Sequence, residues 1–510
     1  MRILYYNWVD YLDPEKRGGG VSVYQKNLIH SLAGGDGQDV SFIASGIAYD
    51  LSHKAPHVRE IKADGPVRRF ELVNSEVLSP GHLSFHSEAS VQAPATTAAF
   101  RDFLDREGPF DVIHFNNLEG LPAEVLALKR HYPNTRFIYS LHNYFAVCPQ
   151  VNLWFQEREN CTDYDGGRKC ATCLMFEPNS GGARKANALA SMLKRLGIMP
   201  GTRLFNLAFR YAPGVYRLGK RLLARIKGER DADTSADNGS GLIRLVPESP
   251  PRSAYFAHRR ERFCQYINEY CDQVLAVSER VKEVAARFGI DERLITTSYI
   301  GTRVAEEYQA PDTEALARRL AGRDHISLGY LGYMRRDKGF YFLLEALEAF
   351  PAELAARVKL VIAARFADPA AWQRLNLLAE KFKSIDYADG YNHDTLDDLY
   401  ERIDLAVVPV LWEDNLPQVA IEALCHQVPV LASNLGGAQE LGGKNPDFVF
   451  RAGDADAFIN RVTRFVEHPG RLVDFWGHAS APVTMDEHLD QLRALYAGRE
   501  TVSTAQREAV

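Results

Sequence analysis

The sequence predicts an α/β protein with two parallel sheets, and two observations support this class. Short apolar runs alternate with helical patterns in both halves of the chain, and such alternation is typical of strands that pair in parallel through right-handed crossovers. The runs lie at 2–8, 40–44, 111–115, 136–141, 326–331, 358–363 and 405–410. The second observation is length: 510 residues exceed a usual single core, so two domains and an insertion are expected.

Composition and charge exclude some classes of function. The net charge of -6 and the pI near 6.2 do not suggest a nucleic-acid-binding protein. Residues 2–8 enter a strand without a charged and then apolar leader, and no apolar run reaches the length of about 20 residues that a bilayer requires. We therefore expect a cytoplasmic protein whose seven cysteines stay reduced.

A glycine-rich loop follows the first predicted strand. Gly18, Gly19 and Gly20 precede a predicted helix at 21–32. Glycine lets the backbone approach a ligand closely at a helix start, where N–H groups favour anions. A flexible surface turn explains a bare triple glycine equally well.

Polar residues follow two later strands of the first half. Asn116 and Asn117 come after the strand 111–115, and His142 and Asn143 come after 136–141. Ligands of parallel sheets bind beyond the carboxyl ends of the strands, so these positions are candidates for a site. The alternative for His142 is a structural histidine.

Four cysteines follow at positions 148, 161, 170 and 173, in a polar segment that is rich in glycine and charge. Cys148, Cys161, Cys170 and Cys173 fit a tetrahedral thiolate zinc site that staples a loop. Two disulfides fit the same spacing but are disfavoured in the cytosol, and thiols without a metal remain an alternative.

The segment 181–250 has a different character. Its basic residues between Arg184 and Lys227 are interleaved with Leu, Met, Phe and Tyr, and no acidic residue lies between them. Basic amphipathic helices on an anionic membrane, or around a phosphate-bearing lipid, have this pattern, as does a merely solvated insertion. The stretch 229–241 is polar without periodicity and is predicted to be disordered.

The second half contains the most informative stretch. A strand at 405–410 leads into the polar loop 412–417, a helix at 419–424 and a further strand at 429–433. Strand, loop and helix N-terminus in this order favour an anion site. Upstream, the loop 332–339 carries Arg335, Arg336 and Lys338 but lacks the pattern of a Walker P-loop, which argues against an ATPase.

The stretch 408–440 resembles the signature of the retaining family 4 glycosyltransferases of the GT-B fold: an acidic residue, seven residues and a Glu, here Asp414 and Glu422. The resemblance implies that Asp414 contacts donor-sugar hydroxyls and that Glu422 binds ribose. It also implies that the backbone of Asn415, Leu416 and Pro417 lines the sugar and phosphate pocket. The family usually has Glu where Asp414 stands, and the adjacent Glu413 is a second candidate for that contact.

Further site residues are implied by the same resemblance. Lys338 neutralises the donor diphosphate, assisted by Arg335 or Arg336, because Tyr333 stands where the family has an Arg. His142 contacts the donor sugar. By the same resemblance, the donor phosphate and the acceptor lie on either side of Gly19 and Gly20. The nucleotide base lies at Tyr391.

The resemblance implies two Rossmann-like domains whose parallel sheets face a central cleft. The acceptor domain is predicted at 1–302, including the cysteine loop 148–173 and the insertion 181–250. The donor domain is predicted at 303–480, and a helix and tail at 481–510 return to the first domain.

The implied activity is retaining hexosyl transfer from a UDP- or GDP-type sugar to a glycan or lipid-linked acceptor, in cell-surface polysaccharide biosynthesis. No Asp-x-Asp is evident in a donor loop, so no catalytic metal or other cofactor is expected, besides the predicted structural zinc. Partners are the donor, the acceptor and an anionic membrane surface through 184–227 on the inner face of the plasma membrane, with no nucleic acid. The alternatives are a GT-B sugar-nucleotide epimerase and a non-catalytic scaffold that binds nucleotide sugars.

Overall fold

The computed structural model describes residues 1–34, 38–211 and 245–499. The predicted disordered stretch 229–241, the basic residues beyond 211 and most of the tail lie outside this range. The chain divides into two compact units. The first comprises Met1–Ser22, Gly37–Phe137 and Tyr164–Tyr270, and the second comprises Val23–Asp36, Ile138–Asp163 and Cys271–Val510. The predicted boundary at 302 stays a prediction.

Five strands form the sheet of the first unit, in the order β5-β1-β2-β4-β3. Their bounds are β1 Arg2–Asn7, β2 Asp39–Ser45, β3 His57–Asp64, β4 Val67–Val73 and β5 Val112–Phe115. All pairs are parallel except β3 with β4. The β3–β4 hairpin was not predicted, because β3 is a partly exposed edge strand with no buried residue and no apolar run.

Helices cover this sheet. Their bounds are α1 Gly19–Ala33, which continues into the second unit, α2 Pro94–Glu107, α3 Arg168–Cys173, α4 Ser180–Arg195 and α5 Pro250–Tyr270. A 3₁₀ helix, Ala123–Arg130, follows β5. The core is strongly aromatic: Phe70, Phe100 and Phe103 are completely or almost completely buried and pack ring against ring.

Besides the end of α1, the second unit contains β6 from Ile138 onward and the remaining strands. Their bounds are β6 Arg136–Leu141, β7 Trp154–Phe155, β8 Glu159–Asn160, β9 Gln273–Ala276, β10 Ile295–Thr297, β11 Ile326–Tyr333, β12 Val358–Arg365, β13 Ser384–Ala388, β14 Leu405–Val408, β15 Val430–Ser433 and β16 Val449–Phe450. Strands β6, β9 and β10 pair in parallel. A separate parallel sheet has the order β13-β12-β11-β14-β15-β16, and this confirms the predicted α/β class with parallel sheets.

Helices alternate with these strands. Their bounds are α6 Glu279–Arg287, α7 Thr313–Leu320, α8 Phe340–Glu348, α9 Ala352–Ala355, α10 Pro369–Leu378, α11 His393–Tyr400, α12 Gln418–Cys425, α13 Ala455–Glu467 and α14 Met485–Tyr496. Phe342, Phe350, Phe450 and Phe458 stack between α8, β16 and α13 as the centre of this core. Within the described ranges, no helix is both long and apolar enough to span a bilayer.

Candidate functional site

The candidate site lies where the second sheet reverses its strand order. Strands β11, β12 and β13 follow one another to one side, whereas β14, β15 and β16 proceed to the other, and β11 pairs directly with β14. Crevices at the carboxyl ends of strands on either side of such a reversal are the usual ligand sites of α/β sheets. The loops that leave this edge, 334–339 and 409–417, are the two that carry the predicted donor residues.

Next to Lys338, the backbone of the first loop lies in close contact with the backbone of the second loop. Gly339 has φ +75°, and a Cβ atom there would lie 1.7 Å from the carbonyl oxygen of Pro409. The N–H of Leu411 donates to the carbonyl of Asp337 at 3.0 Å, which ties the two loops together. Only glycine permits this contact, because any side chain would meet backbone that cannot move aside.

Lys338 meets Asp414 across these loops. Its Nζ lies 2.6 Å from Asp414 Oδ2 and 5.4 Å from the centre of the Trp412 ring. The Asp414 side chain is almost fully buried, whereas Lys338 retains some exposure. The structure therefore brings together two residues that the sequence predicted for the donor site from opposite sides of the strand reversal.

The two arginines of the first loop have looser positions. Arg335 forms an ion pair with Asp337 at 2.8 Å, and its side chain is largely exposed. Arg336 is also exposed and lies 3.9 Å from Glu157. Tyr333, at the position where the family has Arg, is exposed as well. Both guanidinium groups have room to turn towards a ligand.

Glu413 is buried in a network of its own. Its carboxylate accepts hydrogen bonds from Arg280 Nη2 at 2.5 Å, Asn160 Nδ2 at 2.7 Å and the N–H of Gly436 at 3.0 Å. This carboxylate and its hydrogen bonds raise the pKa of the Arg280 guanidinium. Glu413 is thus engaged in structure, and Asp414 is the carboxylate that faces Lys338.

The second loop packs tightly against the turn after β15. Gly436 has φ +72°, and its Cβ position lies 2.0 Å from the carbonyl oxygen of Asp414. Gly437 donates its N–H to that carbonyl at 2.9 Å. The main chain at Asp414 is therefore held against this turn. Pro417, the residue before α12, supplies no side-chain cap to the helix.

Three buried polar atoms of this loop and helix have no hydrogen-bond partner among the described residues: Trp412 Nε1, Asn415 Oδ1 and Glu422 Oε2. Asn415 is held by its other groups, because its Nδ2 donates to the carbonyl of Leu141 at 3.1 Å and its carbonyl accepts from Ser278 Oγ at 2.9 Å. Buried polar atoms are usually paired in folded proteins, so these three are available to a ligand with its own donors and acceptors.

Glu422, whose Oε2 has no hydrogen-bond partner among the described residues, also has a raised pKa. Burial raises its pKa to about 7, against a smaller opposing effect of His426. Burial also raises the pKa of Tyr391, and the charge of Glu422 adds to that increase. Tyr391 and Glu422 are therefore near neighbours, and a hydroxyl-bearing ligand would satisfy the carboxylate and compensate its burial.

His142, at the end of β6, lies beside two further aromatic side chains of the second unit. The ring of Tyr24 is 5.2 Å from that of His142, and its hydroxyl is 2.7 Å from His488 Nε2. Burial lowers the pKa of His142 to about 3, with a smaller contribution from His488. The imidazole is therefore neutral at physiological pH.

The packing of α14 requires a glycine at position 301. A Cβ atom at Gly301 would lie 2.6 Å from the Cβ of His488, and Thr302 pairs with Thr484 as an isolated bridge. Ser298 also donates to Gln491 of α14 at 2.8 Å. The role of Gly301 was not visible in the sequence, because the helix that requires its small size lies far along the chain.

Other residues of the site were missed for the same reason. Glu440 accepts hydrogen bonds from the N–H groups of Glu279 and Arg280 at the start of α6, and from Tyr299 at 2.7 Å. Ser278 caps α6. Nothing in the sequence linked the start of this helix to Glu440 or Glu413.

The predicted glycine and cysteine sites are located but not tested. Gly19 and Gly20 are exposed in the first unit at the beginning of α1, and Gly19 has φ +55°. Cys170 and Cys173 lie on α3 of the first unit, whereas Cys148 and Cys161 belong to the second. Within the described part of the chain, no three His, Cys, Asp or Glu side chains form a group that could hold a metal ion. The zinc assignment stays a prediction.

Two protein-family models match this chain. The model described as "Glycosyl transferases group 1" matches residues 325–468, and the "Glycosyl transferase 4-like domain" matches residues 19–199. Together they cover more than half of the chain. The first contains the loops of Lys338 and Asp414, and the second contains His142 and the glycine-rich loop.

Two curated relatives match over part of their length. A lipopolysaccharide 1,2-N-acetylglucosaminetransferase of Salmonella typhimurium is 27% identical over 253 residues, which are 47% of this chain and 65% of the relative. TuaC of Bacillus subtilis, a glycosyltransferase provisionally assigned to teichuronic acid biosynthesis, is 28% identical over 198 residues, or 38% of this chain and 46% of the relative. The chain thus spans less than two thirds of either relative.

Two solved structures resemble the fold over nearly the whole chain. Sucrose-phosphate synthase from Thermosynechococcus elongatus superposes with a TM-score of 0.54 at 17% identity and covers 98% of both chains. HepE of Anabaena, in complex with UDP, gives a TM-score of 0.51 at 14% identity and covers 98% of this chain and 100% of its own. At these identities the likeness concerns the fold alone.

Proposed function

Because this chain belongs to the family 4 type of glycosyltransferases with the GT-B fold, we propose that it transfers a sugar from a nucleoside diphosphate sugar to a glycan or lipid-linked acceptor. The donor site is the strand reversal that carries Lys338, Asp414 and Glu422. The observation that supports this most strongly is the group of orphaned buried polar atoms between Trp412 and Glu422. Both curated relatives are described as transferases, which favours transfer over the epimerase alternative.

Each donor residue has a role that its geometry can perform. The leaving diphosphate gains negative charge in the transition state, and a cation already in place stabilises that charge without reorganisation. Lys338 supplies the cation, and its partner Asp414 keeps the ammonium in position until a phosphate is bound. The exposed Arg335 and Arg336 assist. Glu422 and Tyr391 hold the ribose and the base.

Retention of configuration and independence from a catalytic metal are further parts of the proposal. Asp414 is engaged with Lys338 at 2.6 Å, and Glu413 with Arg280 at 2.5 Å, so neither is poised as a nucleophile towards the anomeric carbon. Departure and attack on one face of the sugar then give retention. His142, neutral because of its low pKa, orients the sugar hydroxyls.

A donor panel tests the proposal. Nucleoside diphosphates and their sugars should raise the melting temperature by mass action, for one base only. Lys338→Ala should keep the fold and lose about 10²–10³-fold in the rate of transfer, as does removal of one group that stabilises transition-state charge. Unchanged turnover in Lys338→Ala, or loss of turnover in EDTA, would contradict the assigned chemistry.

The proposed membrane contact is supported by the surface of residues 184–211. Six large apolar side chains are exposed there: Met192, Leu196, Met199, Leu204, Leu207 and Tyr211. The sequence between 184 and 211 has basic residues and no acidic ones. Exposed apolar and basic groups on neighbouring turns fit an anionic bilayer surface.

Vesicle sedimentation tests this contact. The protein should bind vesicles that contain phosphatidylglycerol more strongly than pure phosphatidylcholine vesicles, and Leu196→Asn with Leu204→Asn should weaken that binding. Leu377→Asn is the matched control, because Leu377 is equally exposed but lies on α10 of the second unit. Equal binding by the double variant and the control would exclude this surface.

A further inference from the structure

A cavity of about 290 Å³ lies in the first unit, apart from the residues assigned to the donor. The loop 8–17 between β1 and the glycine-rich turn forms one wall, and residues 44–48 at the end of β2 form another. Residues of β3, β4 and α4 complete it. The carboxyl ends of β1 and β2 thus open into it, which is where α/β sheets bind ligands.

The lining of this cavity is largely apolar, and its charged side chains are held in ion pairs. Arg17 contacts Asp13 at 2.7 Å, Arg59 contacts Glu71 at 2.6 Å and Arg69 contacts Asp10 at 2.7 Å. Lys194 of α4, also in the lining, contacts Glu15 at 2.5 Å. The side chains of Asp13, Arg69 and Asp10 are largely buried, so these pairs are built into the wall and are not surface contacts.

The ion pairs of the lining suit a neutral polyhydroxy ligand better than an anionic one. An anionic ligand would have to displace a carboxylate from each cation that it used. A hydroxyl group donates one hydrogen bond and accepts two, so a polyhydroxy ligand can use the carboxylates and the guanidinium groups together. The paired lining therefore favours a neutral sugar over a phosphate or a carboxylate.

Size and one aromatic side chain favour the same ligand. The volume is at the lower limit of ligand pockets, which is about 300 Å³, so the cavity suits a single sugar ring and not a nucleotide sugar. Trp8 lines the wall and offers an apolar face with a polar N–H. One side of a sugar ring presents C–H groups, which pack on such a face.

We propose that this cavity is the subsite for a neutral sugar ring of the acceptor, held by Trp8 and by the ion pairs of Asp10, Asp13 and their arginines. The inference rests on the proposed transferase function for its purpose, but sugar binding to the cavity can be measured without transfer. It narrows the acceptor to one whose reacting end carries an uncharged hexose or N-acetylhexosamine.

Saturation-transfer NMR with the methyl glycosides of glucose, galactose, mannose, rhamnose and N-acetylglucosamine tests the inference. At least one glycoside should bind wild type, Trp8→Ala should bind it about tenfold more weakly, and Trp8→Phe should restore most of the affinity. Inorganic phosphate should not compete. The donor-site variant Glu422→Ala should bind the glycoside as wild type does.

Several outcomes would overturn the inference. These are the binding of no glycoside, undiminished binding by Trp8→Ala, or displacement by millimolar phosphate. Thermal unfolding of both Trp8 variants separates lost binding from lost structure. If the glycoside binds but no nucleotide sugar does, the proposed transfer fails while the sugar subsite stands.

Discussion

Replacing Glu422 by Gln should change how stability depends on pH. Burial gives Glu422 a pKa of about 7 instead of 4.5, so the folded protein holds this proton more tightly than the unfolded chain does. Between these two values the folded state binds more protons, and its stability must fall as the pH rises. The contribution is complete below pH 4.5 and is lost as the pH passes 7.

The magnitude follows from the shift. One pKa unit corresponds to about 1.4 kcal/mol, so wild type should lose up to about 3 kcal/mol through this group between pH 4.5 and 8. This is an upper limit, since solvent reaches part of the side chain and screens the charge. Glu422→Gln stays neutral at every pH and should not show this loss, so it should gain on wild type as the pH rises.

Melting temperatures measured for both proteins at intervals between pH 4.5 and 8.5 provide the assay. The two curves should diverge above about pH 5 by several degrees, because 1 kcal/mol shifts the melting temperature of a domain of 150–250 residues by about 2–4 °C. Glu401→Gln is the control, since Glu401 is exposed next to α11. Parallel curves for Glu422→Gln and wild type would refute the buried, protonated carboxyl group.

Three further predictions follow from single contacts. Gly339→Ala should lower the free energy of unfolding by more than about 2 kcal/mol, because alanine would have to adopt a left-handed conformation and its Cβ would collide with Pro409. Gly470→Ala is the control: its Cβ would lie in open space, so urea unfolding should be unchanged. Arg280→Ala should cost about 3–5 kcal/mol by leaving the Glu413 carboxylate buried and unpaired. The exposed pair of Arg293 is its control, and Arg293→Ala should cost less than about 1 kcal/mol in the same titration. Donor affinity can be measured calorimetrically with UDP-glucose or GDP-mannose. In wild type it should fall as the pH drops below 7, because Glu422 is then protonated, whereas in Glu422→Gln it should not change with pH. Equal pH profiles would contradict ribose binding by the ionised carboxylate.

Much of the fold was predictable because its signals are local. The strand predicted at 405–410 and the helix at 419–424 correspond to Leu405–Val408 and Gln418–Cys425. The apolar runs, the polar loops and the glycines at 339 and 436 are all visible in short windows. The hairpin β3–β4 was not predicted, because an edge strand without buried residues, such as β3, needs no apolar pattern.

The candidate site was predictable only in part. Lys338 and Asp414 were identified from their loops, and the structure brings them to 2.6 Å. Arg280, Asn160 and Glu440 were not identified, because their importance lies in hydrogen bonds to distant residues. The cavity beside β1 was also invisible in the sequence, since its walls come from four separate segments.

By itself, the sequence determined the order of strands, loops and helices and placed two adjacent carboxylates, Glu413 and Asp414, in the loop after β14, because periodicity and turn chemistry act over a few residues. Only the tertiary structure decided between the two. The partners of Glu413 come from 133 and 253 residues away, and they bury it as a structural anion. Asp414 is left to face Lys338, which is 76 residues distant in the chain. Which neighbour of a pair faces the lysine depends on where folding brings such remote donors, and no local pattern carries that information.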